Sequence, residues 1–141
     1  MTNIDVLKRK ASEIEKYFQL LKLIRAKSKE EIQTDPIIYG AIERYLYLLC
    51  QATIDFAEAI ISFANLRTPG SYKEVFEILA EGEDKYISPS LSLKMQKMTG
   101  FRNLLAHAYG KVDSDQLYKI LQKDINDFLI FIKEVKKKIK I

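Results

Sequence analysis

The 141-residue chain has few of the residues that punctuate β-sheet folds or build disulfide and metal centres. Five glycines and three prolines are too few for the many turns of an all-β sandwich or barrel. One cysteine, Cys50, cannot form an internal disulfide. One histidine, His107, offers neither a zinc cluster nor the Glu-x-x-His pairs of a di-iron bundle. We therefore expect neither a metal centre nor another cofactor.

Signals for membranes and export are also missing. No apolar run approaches the ~20 residues that a membrane span needs, and residues 1–5 lack a basic segment followed by an apolar stretch. Hydrophobic residues make up 48% of the chain without a long polar tract, which excludes a disordered protein. We expect one folded domain over residues 1–141, located in the cytoplasm and without membrane contact.

Apolar residues recur at spacings of three and four, which is the pattern of amphipathic helices. The periodicity predicts five helices, with approximate bounds 4–33, 36–64, 72–81, 89–108 and 114–135. The second has the broadest apolar stripe and should be central. We find no convincing strand, so the sequence predicts an all-α antiparallel bundle of four long helices with the short third helix as a connector.

Capping residues set several of these boundaries. Asp35 and Ser88 each precede a proline, and such pairs combine a capping side chain with a first-turn residue that needs no donor. Ser71 and Glu74 match a capping box. Leu48, Leu49 and other apolar neighbours predict a packed core position for Cys50.

The net charge of +4 is modest, but five lysines lie in the last nine residues. They could attract a polyanion. They could equally favour the dipole and the solubility of a final helix. The sequence leaves both interpretations open.

One short segment concentrates the groups that could perform chemistry. Arg102 and His107 are five residues apart, which on a helix means ~140° of rotation and ~7.5 Å of rise, a gap that the arginine side chain can close. Asn103 shares a face with His107 and could fix its tautomer. The carboxyl end of a helix favours the protonated form of histidine. Near neutral pH the side chain can then give a proton as imidazolium and take one as neutral imidazole.

Arginine and histidine without a metal suit the cleavage of RNA by its own 2′-hydroxyl group. A base removes that proton, an acid protonates the leaving oxygen, and a guanidinium steadies the phosphate. Because one chain has one histidine, this chemistry favours a symmetric dimer that pools two Arg102 and two His107. The alternative is structural: His107 caps a helix while Arg102 pairs with an acid such as Asp55 or Asp113.

The segment from Gly100 to Tyr109 resembles the Arg-x4-His-x-Tyr signature of HepT toxins, which belong to the HEPN superfamily of small helical ribonucleases. The likeness extends to residues 45–55, which resemble the second helix of that family, and to residues 69–79, which resemble its connector. Residues 112–121 fit its final helix. Nearly the whole chain is covered.

The resemblance implies a homodimeric, metal-independent endoribonuclease of a type II toxin-antitoxin system, with Arg102 and His107 in a composite site that acts on RNA. It also implies an MntA-like nucleotidyltransferase antitoxin that silences the toxin by adenylylation of Tyr109. Asn103 is carried over as a residue that shapes the site. Arg44 is either an RNA contact or a surface charge.

Other interpretations stay open at this point. Asp55 is either a partner of Arg102 or His107 or an exposed acid. The tyrosines at 39, 45, 47, 72, 86 and 118 are expected in the core and at interfaces rather than as a platform for bases. A non-catalytic HEPN module that binds nucleotide, RNA or a nucleotidyltransferase is the alternative function. A subunit that only assembles with a neighbouring protein is a third.

Overall fold

The computed structural model describes residues 3–107 and 112–141, and all regular secondary structure in these ranges is helical. The all-α prediction is thus confirmed. The helices are α1 (Asn3–Arg25), α2 (Lys29–Thr34), α3 (Pro36–Phe63), α4 (Tyr72–Leu79), α5 (Pro89–Ala106), α6 (Ser114–Lys119), a π-helical turn (Ile120–Asp124) and α7 (Asn126–Ile139).

The predicted first helix over 4–33 is wrong, because the structure divides it into α1 and α2. Ser28 adopts an extended conformation, and its hydroxyl accepts a hydrogen bond from the backbone N–H of Glu31 at 3.1 Å. This cap starts a new helix and turns the chain at residues 26–28. The apolar periodicity did not reveal the break, since Ile32 beyond it is still buried.

The other predicted helix starts are confirmed. Asp35 accepts from the N–H groups of the second and third residues of α3, Ser71 caps α4 and Ser88 caps α5. The predicted ends differ by a few residues: α3 stops at Phe63, α4 at Leu79 and α7 at Ile139. The predicted end of the fourth helix near 108 lies outside the described residues.

The predicted last helix divides into α6, the π-helical turn and α7. The N–H of Ile125 donates to the carbonyl of Ile120 at 3.1 Å, a bond that spans five residues. Leu117, Leu121 and Ile125 are spaced by four, which exceeds the 3.6 residues of an α-helical turn. The wider turn keeps all three side chains in the core, where each is fully buried.

Helix α3 is the centre of the bundle and packs against α1, α2, α4 and α5. By length and composition it could cross a membrane, which differs from the expectation that no apolar run approaches that length. In the structure 56% of its most apolar 18-residue stretch is buried within the protein, as is also found in core helices. Phe56 of α3 and Phe76 of α4 both meet the edge or face of Phe131 from α7, with ring centroids 6.2 and 5.7 Å away. Cys50 is buried as predicted.

Candidate functional site

Arg102 lies on the last turns of α5 and points across to α3. Its Nε donates to Oε1 of Gln51 at 2.8 Å, and Nη2 donates to the hydroxyl of Tyr47 at 3.3 Å. Its Nη1 donates to Oδ1 of Asn103 at 3.0 Å. Three acceptors from two helices thus hold the half-buried guanidinium in one orientation.

Two tyrosine rings also hold this guanidinium. The Cζ atom of Arg102 is 5.2 Å from the ring centroid of Tyr47 and 5.4 Å from that of Tyr72. Tyr72 is the first residue of α4, directly after the Ser71 cap. The segment before it is fixed by Arg67, which forms ion pairs with Glu74 and Glu81. The connector therefore places an aromatic ring beside the arginine.

The guanidinium retains capacity to bind an anion. Arginine has five N–H donors, and the three bonds above leave one on each terminal nitrogen. Five ion pairs join residues within the described ranges, and Arg102 takes part in none of them. The alternative in which Arg102 pairs with Asp55 or Asp113 is therefore wrong, and two N–H groups remain for a fork to phosphate oxygens.

Asp55 reaches the site through Gln51. Its Oδ1 accepts from Nε2 of Gln51 at 2.9 Å, and both side chains are half-buried on α3. Because the carboxylate binds the amide NH2 group, the amide oxygen is left to face Arg102.

Glu58 lies one helical turn further along α3. Burial raises the pKa of its carboxyl group, and the nearby negative charge of Asp55 raises that pKa as well, whereas the positive charge of Lys10 lowers it.

Arg44 shares a tyrosine with Arg102. Its Cζ atom is 5.6 Å from the ring centroid of Tyr47, and the residue is exposed. Two guanidinium groups thus lie against the same ring, which makes this part of the surface positive. The role of Arg44 as an RNA contact stays a prediction.

His107 caps the carboxyl end of α5 and is exposed. Its backbone N–H donates to the carbonyl of Asn103 at 3.1 Å. Within residues 3–107 and 112–141, no hydrogen bond reaches its imidazole, and Asn103 gives its amide oxygen to Arg102 instead. The structure thus does not bring Arg102 and His107 into contact within one chain. Tyr109 lies outside the described residues.

A family model described as ribonuclease HepT-like matches residues 8–135. The chain belongs to this family. The HepT-like chain is 24% identical over 137 residues to the tRNA nuclease HepT of Aphanizomenon flos-aquae, which covers 96% of this chain and 92% of that relative. It is 29% identical over 106 residues to the mRNA nuclease HepT of Shewanella oneidensis, and this alignment covers 75% of this chain and 78% of that relative.

The fold of this HepT-like chain is similar to that of a solved Shewanella oneidensis HEPN toxin. The TM-score is 0.85 at 26% identity, with 97% of this chain and 99% of the other covered. That toxin was solved in a tri-AMPylated form in complex with an MNT antitoxin.

Sequence reasoning missed three residues of this HepT-like site, namely Tyr47, Gln51 and Tyr72. Tyr47, Gln51 and Asp55 recur every four residues on α3, and a polar stripe of this kind on an apolar helix is a signal that could have identified them. Tyr72 gave no such signal. Its position depends on how the connector folds back onto α5.

Proposed function

We propose that this chain is a ribonuclease toxin that acts in the cytoplasm as a symmetric dimer and cleaves RNA without a metal. The observation that carries the proposal is the state of Arg102. Its guanidinium is fixed by three acceptors and two rings, forms no ion pair with the described residues, and keeps two N–H donors. It lies on the same helix end as the exposed imidazole of His107.

The reaction follows from these groups. A neutral imidazole takes the proton of the 2′-hydroxyl, whose oxygen attacks the adjacent phosphorus. The bond from phosphorus to the 5′-oxygen breaks, and an imidazolium gives that oxygen a proton. The products are a 2′,3′-cyclic phosphate and a 5′-hydroxyl. Arg102 binds the two other phosphate oxygens and stabilises their charge in the transition state.

The dimer supplies what one chain lacks. One imidazole cannot be base and acid in the same step, whereas two His107 side chains related by a two-fold axis can divide the roles. Exposed apolar surface lies next to the site and suits such an interface: 39% of Leu104 and 36% of Tyr72 are exposed. Asn103 shapes the site by fixing Arg102, and Arg44 extends the positive surface.

Tyr109 is the proposed control point. The related Shewanella toxin was solved with AMP groups attached and an MNT antitoxin bound. We infer that a nucleotidyltransferase antitoxin adenylylates Tyr109, two residues after His107, and so adds bulk and negative charge where RNA phosphate binds. Co-expression should then raise the intact mass by whole AMP units. Tyr109→Phe should prevent this, and Tyr118→Phe should not.

The catalytic proposal is tested with purified protein, RNA and EDTA. We expect cleavage that leaves cyclic phosphate ends, and a loss on the order of 10²-fold or more in His107→Ala and Arg102→Ala. Arg9→Ala, which removes an exposed arginine on α1, is the matched control and should keep full activity. Thermal unfolding checks that the variants remain folded.

Two outcomes would contradict the proposal that this chain is an enzyme. Undiminished cleavage by His107→Ala would show that the activity comes from elsewhere. RNA binding without turnover, weakened by Arg102→Ala, would favour the non-catalytic module instead.

A further inference from the structure

A cleft of about 610 Å³ lies beside the candidate site, between α5 and the segment formed by α6, the π-helical turn and the start of α7. Lysines line both of its walls: Lys94 and Lys97 come from α5, and Lys119 and Lys123 come from the opposite segment. Its lining also includes apolar side chains of α3 and α5, among them Leu46 and Met98. The cleft is thus apolar inside and basic along both sides.

The charges in the cleft do not cancel. Two aspartates, Asp124 and Asp127, also line it, which leaves a net charge of plus two. Asp127 is paired with Lys94 at 3.6 Å. The other three lysines are exposed and form no ion pair with any residue in the described ranges. Unpaired cations on two facing walls attract an extended polyanion.

The cleft and the bound guanidinium lie on two sides of the same contact between α3 and α5. Phe101 lines the cleft and immediately precedes Arg102, and Cys50 lines it and immediately precedes Gln51. Burial raises the pKa of the Cys50 thiol to about 12, and the positive charge of Arg102 acts on the thiol in the opposite direction. The cleft thus begins one residue away from Arg102 along α5 and one residue away from Gln51 along α3.

We propose that this lysine-lined cleft binds single-stranded RNA next to the cleaved bond, with phosphates on Lys97, Lys119 and Lys123. The inference rests on the proposed function for its substrate and goes beyond it in assigning a second contact region. RNA is favoured over an acidic protein surface because the cleft is concave and its lining includes the half-buried ring of Phe101, against which an unstacked base can pack.

The test compares two triple variants that remove the same charge. Lys97→Ala, Lys119→Ala and Lys123→Ala are combined in one protein. Lys8→Ala, Lys22→Ala and Lys85→Ala, three exposed lysines that do not line the cleft, are combined in the control. The probe is a fluorescent 2′-O-methyl oligonucleotide about twelve nucleotides long, comparable to known single-strand sites. It cannot be cleaved, so anisotropy measures binding whether or not the protein is a nuclease.

The cleft variant should bind the probe on the order of tenfold more weakly than wild type, and its slope of log affinity against log salt should be smaller by about 2. The control variant should match wild type in both. Cleavage of a dinucleotide that spans only the scissile bond should be unchanged in the cleft variant.

The results separate the two proposals. Equal binding of the probe by the cleft and control variants would overturn the proposal that the cleft binds RNA, even if the protein cleaves RNA. If the cleft variant bound the probe more weakly but the wild-type protein cleaved no RNA, RNA binding in the cleft would be supported and the nuclease activity would be contradicted. If the cleft variant lost affinity for a nucleotidyltransferase antitoxin while still binding the probe, the cleft would be a protein interface and the proposal would be wrong.

Discussion

The Nε of Arg102 donates to the side-chain oxygen of Gln51 at 2.8 Å, and the amide nitrogen of the same glutamine donates to Asp55 at 2.9 Å. The carboxylate of Asp55 on α3 thereby orients the guanidinium of Arg102 on α5 through the neutral amide of Gln51. The direction of both bonds is fixed, because the carboxylate can only accept and the guanidinium can only donate. Gln51 is therefore a positioning residue for the proposed phosphate contact.

Gln51→Ala should lower kcat/KM for RNA cleavage on the order of tenfold, because a guanidinium that has lost one partner samples orientations that miss the phosphate. Asp55→Ala should lower it less. The double variant should be no worse than Gln51→Ala, since Asp55 acts through the glutamine. Steady-state kinetics on a defined RNA measures all three.

Gln33→Ala is the matched control for this prediction. Gln33 also donates its side-chain amide to an aspartate, Asp115, at 2.9 Å, but neither residue is a hydrogen-bond partner of Arg102. An equal loss of activity in Gln33→Ala would mean that the effect is general. Additive losses in the double variant would mean that Asp55 acts by another route.

Tyr72 should contribute through its ring rather than its hydroxyl group. Tyr72→Ala should reduce kcat/KM a few-fold, as expected from about 0.5–1 kcal/mol for a cation–π contact at an exposed site. Tyr72→Phe should retain the activity. Tyr86→Ala, which removes a ring 5.8 Å from Lys138, is the control. If Tyr72→Phe were as damaging as Tyr72→Ala, the stacking interpretation would be wrong.

The parts of the fold that the sequence predicted are those with local causes. A cap such as Asp35 acts on amides two and three residues away, so a short stretch of sequence contains both partners. The central position of α3 follows from its apolar stripe alone. The break at Ser28 also has a local cause, since Ser28 and Glu31 form the cap, but the continuing apolar pattern masked it.

The rest depends on contacts between helices that are distant in sequence. The π-helical turn serves the burial of Leu117, Leu121 and Ile125 together, which no single residue signals. Gln51 matters because α3 and α5 pack so that it meets a residue 51 positions later. Arg102 and His107 could be chosen from chemistry and resemblance, but the partners of Arg102 on α3 and α4 could not.

Phe131 should be a main determinant of stability. It is fully buried and contacts the rings of Phe56 and Phe76 from two other helices. Phe131→Ala should lower the free energy of unfolding by about 3–5 kcal/mol, because it removes a large buried side chain and leaves a cavity. Urea denaturation with comparable m-values measures the difference.

Ile130→Ala is the control for Phe131. The neighbouring isoleucine is 47% exposed, so its truncation should change the free energy of unfolding by no more than about 1 kcal/mol. Similar losses in the two variants would mean that the ring cluster is not the reason for the effect of Phe131.

Cys50 should make the stability depend on pH in the alkaline range. Burial raises the pKa of its thiol from 9.0 to about 12, against a smaller opposing effect of Arg102. Well below pH 9 the thiol is protonated in the folded and in the unfolded chain, so it adds no pH dependence to the free energy of unfolding. Above pH 9 the unfolded chain loses this proton while the folded chain keeps it, so stability falls as pH rises, by up to about 1.4 kcal/mol per pH unit.

The comparison with Cys50→Ala isolates this contribution from the lysines and tyrosines that titrate nearby. We expect the free energy of unfolding of wild type, measured in urea between pH 8 and about pH 10.5, to fall more steeply than that of the variant once the pH passes the ordinary thiol value. Parallel curves over this range would mean that the thiolate is not disfavoured by folding.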